Sequence, residues 1–136
     1  MNSRKTDLLN ARPTISSAVV SSCTSIDERF QNETLRPILK LQNDLLIAVF
    51  KNYVLKYKNV FYELSVDNKM NYIENAIHKD MKFSNSLKGM VIGHFTIEEY
   101  LIYVQHASAL NKRIMNLVIE RLKDQIQIFE YEMVTS

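Results

Sequence analysis

The sequence has very little glycine and proline, with two residues of each among 136. Proteins built from many short strands need such residues at their turns, so their scarcity argues against an all-β fold. The chain also has no tryptophan and one cysteine, Cys23. A single cysteine excludes an intrachain disulfide and is compatible with a reducing compartment.

No charge of one sign dominates the chain, whose formal net charge is +2. Dedicated nucleic-acid-binding modules usually have a stronger basic excess, so the composition argues against nucleic acid as a partner. No hydrophobic run approaches the roughly 20 residues of a membrane span. We therefore expect no membrane span and a cytoplasmic location.

The first 24 residues are small and polar, with five serines among residues 16–25. Such a segment buries too little apolar surface to order itself, so we predict a disordered tail over 1–24 and one domain over 25–136. The residues Val20–Cys23 resemble a lipoprotein processing site. The apolar stretch before them is shorter than the roughly 7–15 residues of a signal peptide, and we favour the tail while leaving processing of Cys23 open.

Helical periodicity begins at Thr34, which we expect to cap a long first helix with Pro37 in its first turn. Its apolar stripe recurs every three or four residues: Leu46, Phe50, Tyr53, Tyr57, Val60 and Leu64. Ser65 is the expected N-cap of the next helix, and Ser84 that of a short helix after it. Gly93 is expected to end this short helix in the left-handed conformation.

The last third of the chain predicts one very long amphipathic helix. Thr96 and Glu99 form a capping box at its start. The helix is expected to run to about Glu132, with a bend near residues 108–111 left open. It carries two adjacent apolar seams: Ile97, Leu101, Val104, Ser108, Asn111, Met115, Val118, Leu122, Gln125 and Phe129, and Tyr100, Tyr103, Ala107, Leu110, Ile114 and Leu117. A face this broad has to pack against several helices, in the same chain or in a partner.

These elements predict an all-α fold, an antiparallel bundle of four to five helices with two long helices and a disordered N-terminal tail. No recognised catalytic motif is present: the chain has no P-loop, no dinucleotide-binding glycine pattern and no Gly-x-Ser-x-Gly elbow. The three histidines match no established metal-ligand spacing. We therefore expect no catalytic residues, no metal and no cofactor, and favour a non-enzymatic protein.

Polar residues that enter the apolar face of the last helix are the one candidate site. Ser108 and Asn111 stand where leucine or isoleucine is expected, and a buried asparagine can fix the register between helices. The alternative is a small polar pocket, formed by His94, Tyr100, Tyr103, His106 and Asn111.

Lysines and tyrosines alternate over residues 51–58, a pattern that suits single-strand nucleic-acid binding. At helical spacing, however, Tyr53 and Tyr57 fall on the apolar stripe. We favour an ordinary amphipathic face, and binding of nucleic acid through Lys51, Lys56 and Lys58 is the weakest hypothesis.

Two blocks of the sequence resemble a known group of proteins. These are residues 34–44 and the stretch from Lys88 through Gly93, Phe95–Thr96 and Glu99–Tyr100 to 109–113. They are similar to short all-helical bacterial proteins with no established activity, some of which carry an automatic glyoxalase label. The resemblance covers about residues 25–130 and brings no catalytic residues with it. The His-x-His-x-Asp-His motif and the strand-borne metal ligands of glyoxalases are missing, so the label has no motif support.

Two hypotheses of function follow. The first is a small protein that acts by association, with itself as a homodimer or with another protein. The alternative is a small helical ligand-binding domain or enzyme whose site is the candidate polar pocket.

Overall fold

The structure, a computed structural model, describes residues 3–14, 25–57 and 60–126. All of its regular elements in this part of the chain are helical, which confirms the all-α prediction. The α-helices are α1 (Ser3–Ala11), α2 (Ile26–Phe30), α3 (Arg36–Leu41), α4 (Asn43–Lys56), α5 (Val66–Lys79), α6 (Met81–Ile92), α7 (Ile97–Gln105) and α8 (Ala107–Asp124). A π-helix (Gln31–Leu35) joins α2 to α3, and a 3₁₀-helix (Val60–Glu63) precedes α5.

The predicted first long helix is divided. Its start is the π-helix, in which Thr34 is buried and is not an N-cap. Pro37 does lie in the first turn of α3, as expected from its missing N–H. A second break occurs at Gln42, whose ψ of 3° separates α3 from α4. Neither glycine nor proline marks this break.

The predicted last helix is also divided, at His106, whose φ of −129° and ψ of 28° leave the helical region. The break falls just before the bend that was left open near residues 108–111. The two halves differ sharply in burial. Helix α8 buries Leu110, Ile114, Met115, Leu117, Val118, Ile119 and Leu122, whereas α7 has no buried residue.

Helix caps agree with the sequence at two sites and differ at two others. Ser65 caps α5 by accepting a hydrogen bond from the Asn68 N–H at 3.3 Å, and the capping box of Thr96 and Glu99 is complete. Asp80 caps α6 in place of Ser84, because the helix begins four residues earlier. Gly93 has φ −59° and ψ −16°, so the expected left-handed conformation was wrong.

The buried apolar residues of α2 to α6 and α8, with Leu35, Phe61 and Phe95 between them, form one core. Its aromatic part surrounds Phe50 on α4, whose ring centroid lies 5.3 Å from that of Phe61, 6.3 Å from Tyr72 and 6.5 Å from Phe83. Such edge and tilted contacts add to the apolar area that the rings bury. This cluster ties α4, α5, α6 and the 3₁₀-helix together.

The segment predicted as a disordered tail contains α1, a nine-residue helix that buries none of its side chains. From the sequence we expected no more than a transient turn of helix over residues 6–11 of this segment, so α1 is longer than expected. The division into a tail over 1–24 and a domain over 25–136 stays a prediction, and Cys23 lies outside the described residues.

Replacing Phe50 tests the aromatic core. Phe50→Ala removes a fully buried ring, so we expect the free energy of unfolding in urea to fall by roughly 3–5 kcal/mol. Leu55→Ala is the control on the same helix, because Leu55 is 61% exposed and its loss should change stability by about 0.5 kcal/mol or less. Equal losses in the two variants would contradict the packing described here.

Candidate functional site

Helix α7 presents an apolar stripe to solvent. The stripe consists of Ile97, Tyr100, Leu101 and Val104, which are 67%, 45%, 55% and 46% exposed. Their spacing of three and four residues places them on one side of the helix. Large apolar side chains grouped in this way on a surface mark an interaction site more often than scattered ones do.

The α7 stripe itself carries no charged residue. Glu98 and Gln105 lie along one edge of it, both exposed. Glu98 already has a partner in Lys5 of α1, with a distance of 3.3 Å between Nζ and Oε1. The stripe is therefore a neutral surface with one polar edge.

Glu99, on the opposite side of α7, is the best-connected side chain of this region. Arg12 donates to both of its carboxylate oxygens, Nη1 to Oε2 at 2.7 Å and Nη2 to Oε1 at 2.6 Å. Thr34 Oγ1 donates to Oε2 at 3.0 Å, and the Thr96 N–H donates to Oε1 at 2.9 Å. One carboxylate thus joins α1, the π-helix and the first turn of α7.

Burial of Glu99 favours its neutral form, but the hydrogen bonds from Arg12, Thr96 and Thr34 outweigh burial and lower its pKa below the ordinary value. The side chains of Arg12 and Glu99 are only 8% and 16% exposed. A two-pronged guanidinium–carboxylate contact of this kind is strong when it is shielded from water. Glu99 is accordingly ionised in the folded protein at neutral pH.

Helix α1 is held in place by its cations. Arg4 donates to the Gly93 carbonyl at 3.1 Å and Arg12 to the His94 carbonyl at 2.8 Å. Both carbonyls follow the C-terminus of α6, the negative end of that helix dipole. Because α1 buries no side chain of its own, these polar contacts and the Glu98 and Glu99 pairs account for its position.

The structure brings some residues of the predicted polar pocket together. Tyr103 donates its hydroxyl to Asn111 Oδ1 at 2.6 Å, which bridges the break between α7 and α8. The ring of Tyr100 lies 6.0 Å from that of Tyr103, but Tyr100 faces solvent as part of the α7 stripe. Asn111 thus accepts a hydrogen bond that links α8 to α7 within the chain.

The two histidines of that pocket have separate surroundings. His106 Nδ1 lies 3.6 Å from Asp27 Oδ1, beside α2. His94 adjoins Arg12, and its buried Nδ1 has no hydrogen-bond partner. Burial, and then the charges of Arg12 and Arg4, lower the pKa of His94, so its ring is neutral at pH 7.

One of the five residues, Asn111, lines a cavity that the structure describes. Asn111 lines a cavity with His78, Ser84 and Lys88, and the other four are not among its lining residues. Within the described ranges, no three histidine, cysteine, aspartate or glutamate side chains come together as a metal-binding group. Whether the five form a functional pocket stays a prediction.

The segment that alternates lysine and tyrosine lies mostly in α4. The Tyr53 ring stacks on Phe83 at 4.0 Å and its hydroxyl donates to Asp80 at 3.1 Å, so this ring belongs to the interior of the fold. Burial, followed by the hydrogen bond and charge of Asp80, raises the pKa of Tyr53. Lys56 is exposed, and Lys58 lies outside the described residues.

Sequence reasoning identified Glu99 only as a capping residue and did not identify Arg12. Arg12 lies 87 residues away and just before Pro13, in a segment with no apolar periodicity. The sequence feature that could have indicated this contact is the group of three cations, Arg4, Lys5 and Arg12, which lie near the acidic first turn of α7 in the structure.

Among the described helices, none has the length and apolar character that a membrane crossing requires.

Neutralising Glu99 tests its network. Glu99→Gln should lower the free energy of unfolding by about 1.5–3 kcal/mol at neutral pH, and should speed hydrogen exchange in α1, because Arg12 loses its ionic partner. Since the folded pKa of Glu99 is depressed below the ordinary value of about 4.3, its contribution is complete above that value and is lost as the pH falls through the folded pKa. The difference from the unaltered chain should therefore shrink as the pH is lowered beyond that ordinary value.

The control is Glu98→Gln, which removes the exposed neighbouring carboxylate. It should leave exchange in residues 3–14 nearer to that of the unaltered chain than Glu99→Gln does. A Glu99→Gln variant as stable as the unaltered chain at neutral pH would show that the network does not hold α1 and α7 together.

Searches with protein-family models, among curated proteins and among solved structures find no match to the chain. The geometry of its own residues is therefore the basis for a function.

Proposed function

We propose that the chain acts by association with a second copy of itself, through the α7 stripe. The observation that carries this proposal is that Ile97, Tyr100, Leu101 and Val104 are all exposed on a helix with no buried residue. Covering such side chains removes apolar area from water at about 25 cal/mol per Å². The long seam predicted from the sequence thus divides into a core part on α8 and an association part on α7.

A second copy suits the stripe because the stripe is uncharged. Two copies can face each other across a two-fold axis without placing like charges together. In an antiparallel pair centred between Leu101 and Ile102, Glu98 of one copy comes level with Gln105 of the other, on the same edge of the contact. The Gln105 amide can donate to the Glu98 carboxylate there, once from each copy.

The contact is small. Nine helical residues span about 13 Å, and stable interfaces usually bury about 800 Å² on each partner. We therefore expect a weak dimer whose population rises with concentration. Association with a different protein through the same stripe is the other outcome that the experiment below detects.

The proposal includes the finer architecture expected from the sequence. The helices of 25–136 would act as one antiparallel bundle domain in the cytoplasm. The continuous core from α2 to α8 supports a single domain, and the depth of burial in α8 supports its place at the centre.

Leu101→Glu tests the dimer. The variant places two carboxylates against each other at the centre of the pair, so we expect sedimentation equilibrium to show a monomer at concentrations where the unaltered chain is partly dimeric. Leu55→Glu is the matched control, since it adds the same charge at an equally exposed leucine of α4. A Leu55→Glu variant should dimerise as the unaltered chain does.

The antiparallel arrangement has its own test. Gln105→Lys should tighten the dimer about twofold or more, by pairing with Glu98 of the other copy, and Gln105→Glu should weaken it. An unaltered chain that is monomeric at every protein concentration in the sedimentation experiment would overturn self-association. If the chain forms no dimer but binds a different protein, and Leu101→Glu abolishes that binding, then the partner of the α7 stripe is that protein and not a second copy.

A further inference from the structure

A groove lined with arginines runs along α8, on a part of the surface distinct from the α7 stripe. It consists of two adjoining clefts that share Arg36, Leu117 and Glu120. Arg121 lies in one cleft, and Arg113 with Lys112 lies in the other. The eight residues from 113 to 121 separate the two ends by about 12 Å.

The three guanidinium groups of the groove are held by neutral amides. Arg36 donates to Asn32 Oδ1 at 3.2 Å, Arg113 to Gln31 Oε1 at 3.0 Å and Arg121 to Asn43 Oδ1 at 3.2 Å. Within residues 3–14, 25–57 and 60–126, none of these three arginines forms an ion pair with a carboxylate. Each guanidinium has five N–H donors, so most of them point elsewhere.

The amide partners fix the arginines in place. Asn43 and Gln125 bond to each other in both directions, at 2.9 and 2.8 Å, and Gln125 also donates to the Arg121 carbonyl at 2.8 Å. Gln31, which receives Arg113, begins the π-helix, and Arg36 follows its end. Single-turn π-helices occur frequently at functional sites. The side chains are thus oriented without being neutralised.

The positive charges of Arg36 and Arg121 repel each other within the groove. Burial and then the charge of Arg36 lower the pKa of Arg121, while Asp124 and Glu120 act in the opposite direction. Two half-buried like charges beside each other cost free energy, and an anion bound between them would recover it. The carboxylates of Glu120, Asp124 and Asp27 also line the groove, which makes it unfavourable for a long polyanion.

We propose that this groove binds a small organic oxyanion, a phosphate or carboxylate compound, between Arg36 and Arg121. The planar guanidinium fork fits either group with two parallel hydrogen bonds. Glu120 and Asp124 accept hydrogen bonds from hydroxyl or ammonium groups on the same compound. Arg113 and Lys112 receive a second anionic group at the far end. This site is independent of the dimer proposed above.

Binding is tested by following the arginine Nε–Hε NMR resonances of the full chain, at constant ionic strength, with inorganic phosphate, pyrophosphate and citrate as probes. We expect saturable shifts at Arg36 and Arg121, and chloride should produce none. Stronger binding of phosphate or pyrophosphate assigns the groove to phosphate compounds, and stronger binding of citrate assigns it to carboxylates.

Variants separate a binding role from a structural one. Arg121→Gln should weaken probe binding about tenfold or more, and Arg121→Lys, which keeps the charge but loses the fork, should weaken it less. Lys56→Gln removes one exposed charge from α4 and should leave binding unchanged. The melting temperature of Arg121→Gln without a probe should equal or exceed that of the unaltered chain, because the repulsion from Arg36 is relieved.

Four results would overturn the proposal. One is the absence of saturable shifts with all three probes, and another is an equal loss of binding in Lys56→Gln. The third is an Arg121→Gln variant that melts at a lower temperature while binding the probes as the unaltered chain does. Tighter binding of an oligonucleotide than of the small anions, at the same arginines, would contradict a small ligand.

Discussion

The carboxylate of Glu99 is the point on which the arrangement of this molecule depends. It receives the Thr96 N–H from its own helix end, Thr34 from the π-helix and both terminal nitrogens of Arg12. The first bond sets where α7 begins, the second fixes α7 relative to the core, and the third positions α1. Tyr103 of α7 packs partly buried against the core beside Phe95, but neither α7 nor α1 has a fully buried side chain. Apolar packing therefore fixes these two helices less than it fixes α8.

The outward orientation of the α7 stripe also depends on the break between α7 and α8. A helix that continued straight into α8 would carry its apolar stripe along the same seam as Met115 and Val118, toward the core. The break at His106 separates the two directions, and the bond from Tyr103 to Asn111 holds the halves across the break. The apolar residues that look alike in the sequence thereby serve two different surfaces.

Much of the fold follows from local patterns. Ser65 and the Thr96–Glu99 pair are short-range caps, and the stripe through Leu46, Phe50 and Tyr53 is a periodicity that burial largely respects. The helix breaks at Gln42 and His106 were not predictable in the same way, because no glycine or proline marks them. Thr34 was predicted as an N-cap because a threonine before an apolar periodic segment is typical of one. In the structure its hydroxyl donates instead to Glu99, which is 65 residues away in the sequence.

The candidate sites depend still more on distant contacts. His94, His106 and Asn111 share a region of the sequence, yet tertiary packing gives each a different neighbour. The arginines of the groove come from α3 and α8, and only their three-dimensional arrangement shows that amides, and not carboxylates, hold them. A sequence pattern records which charges exist but not which of them are already neutralised.

The polar attachment of α7 also has an evolutionary consequence. Because the outward residues of this helix lie away from the interior, they can be exchanged without disturbing the packing of α8. Mutations there are tested by selection for what the helix touches, and hardly for stability. The packed framework and the outward face of α7 can therefore diversify at different rates, so that related chains can share one interior and differ in the surface that this helix presents.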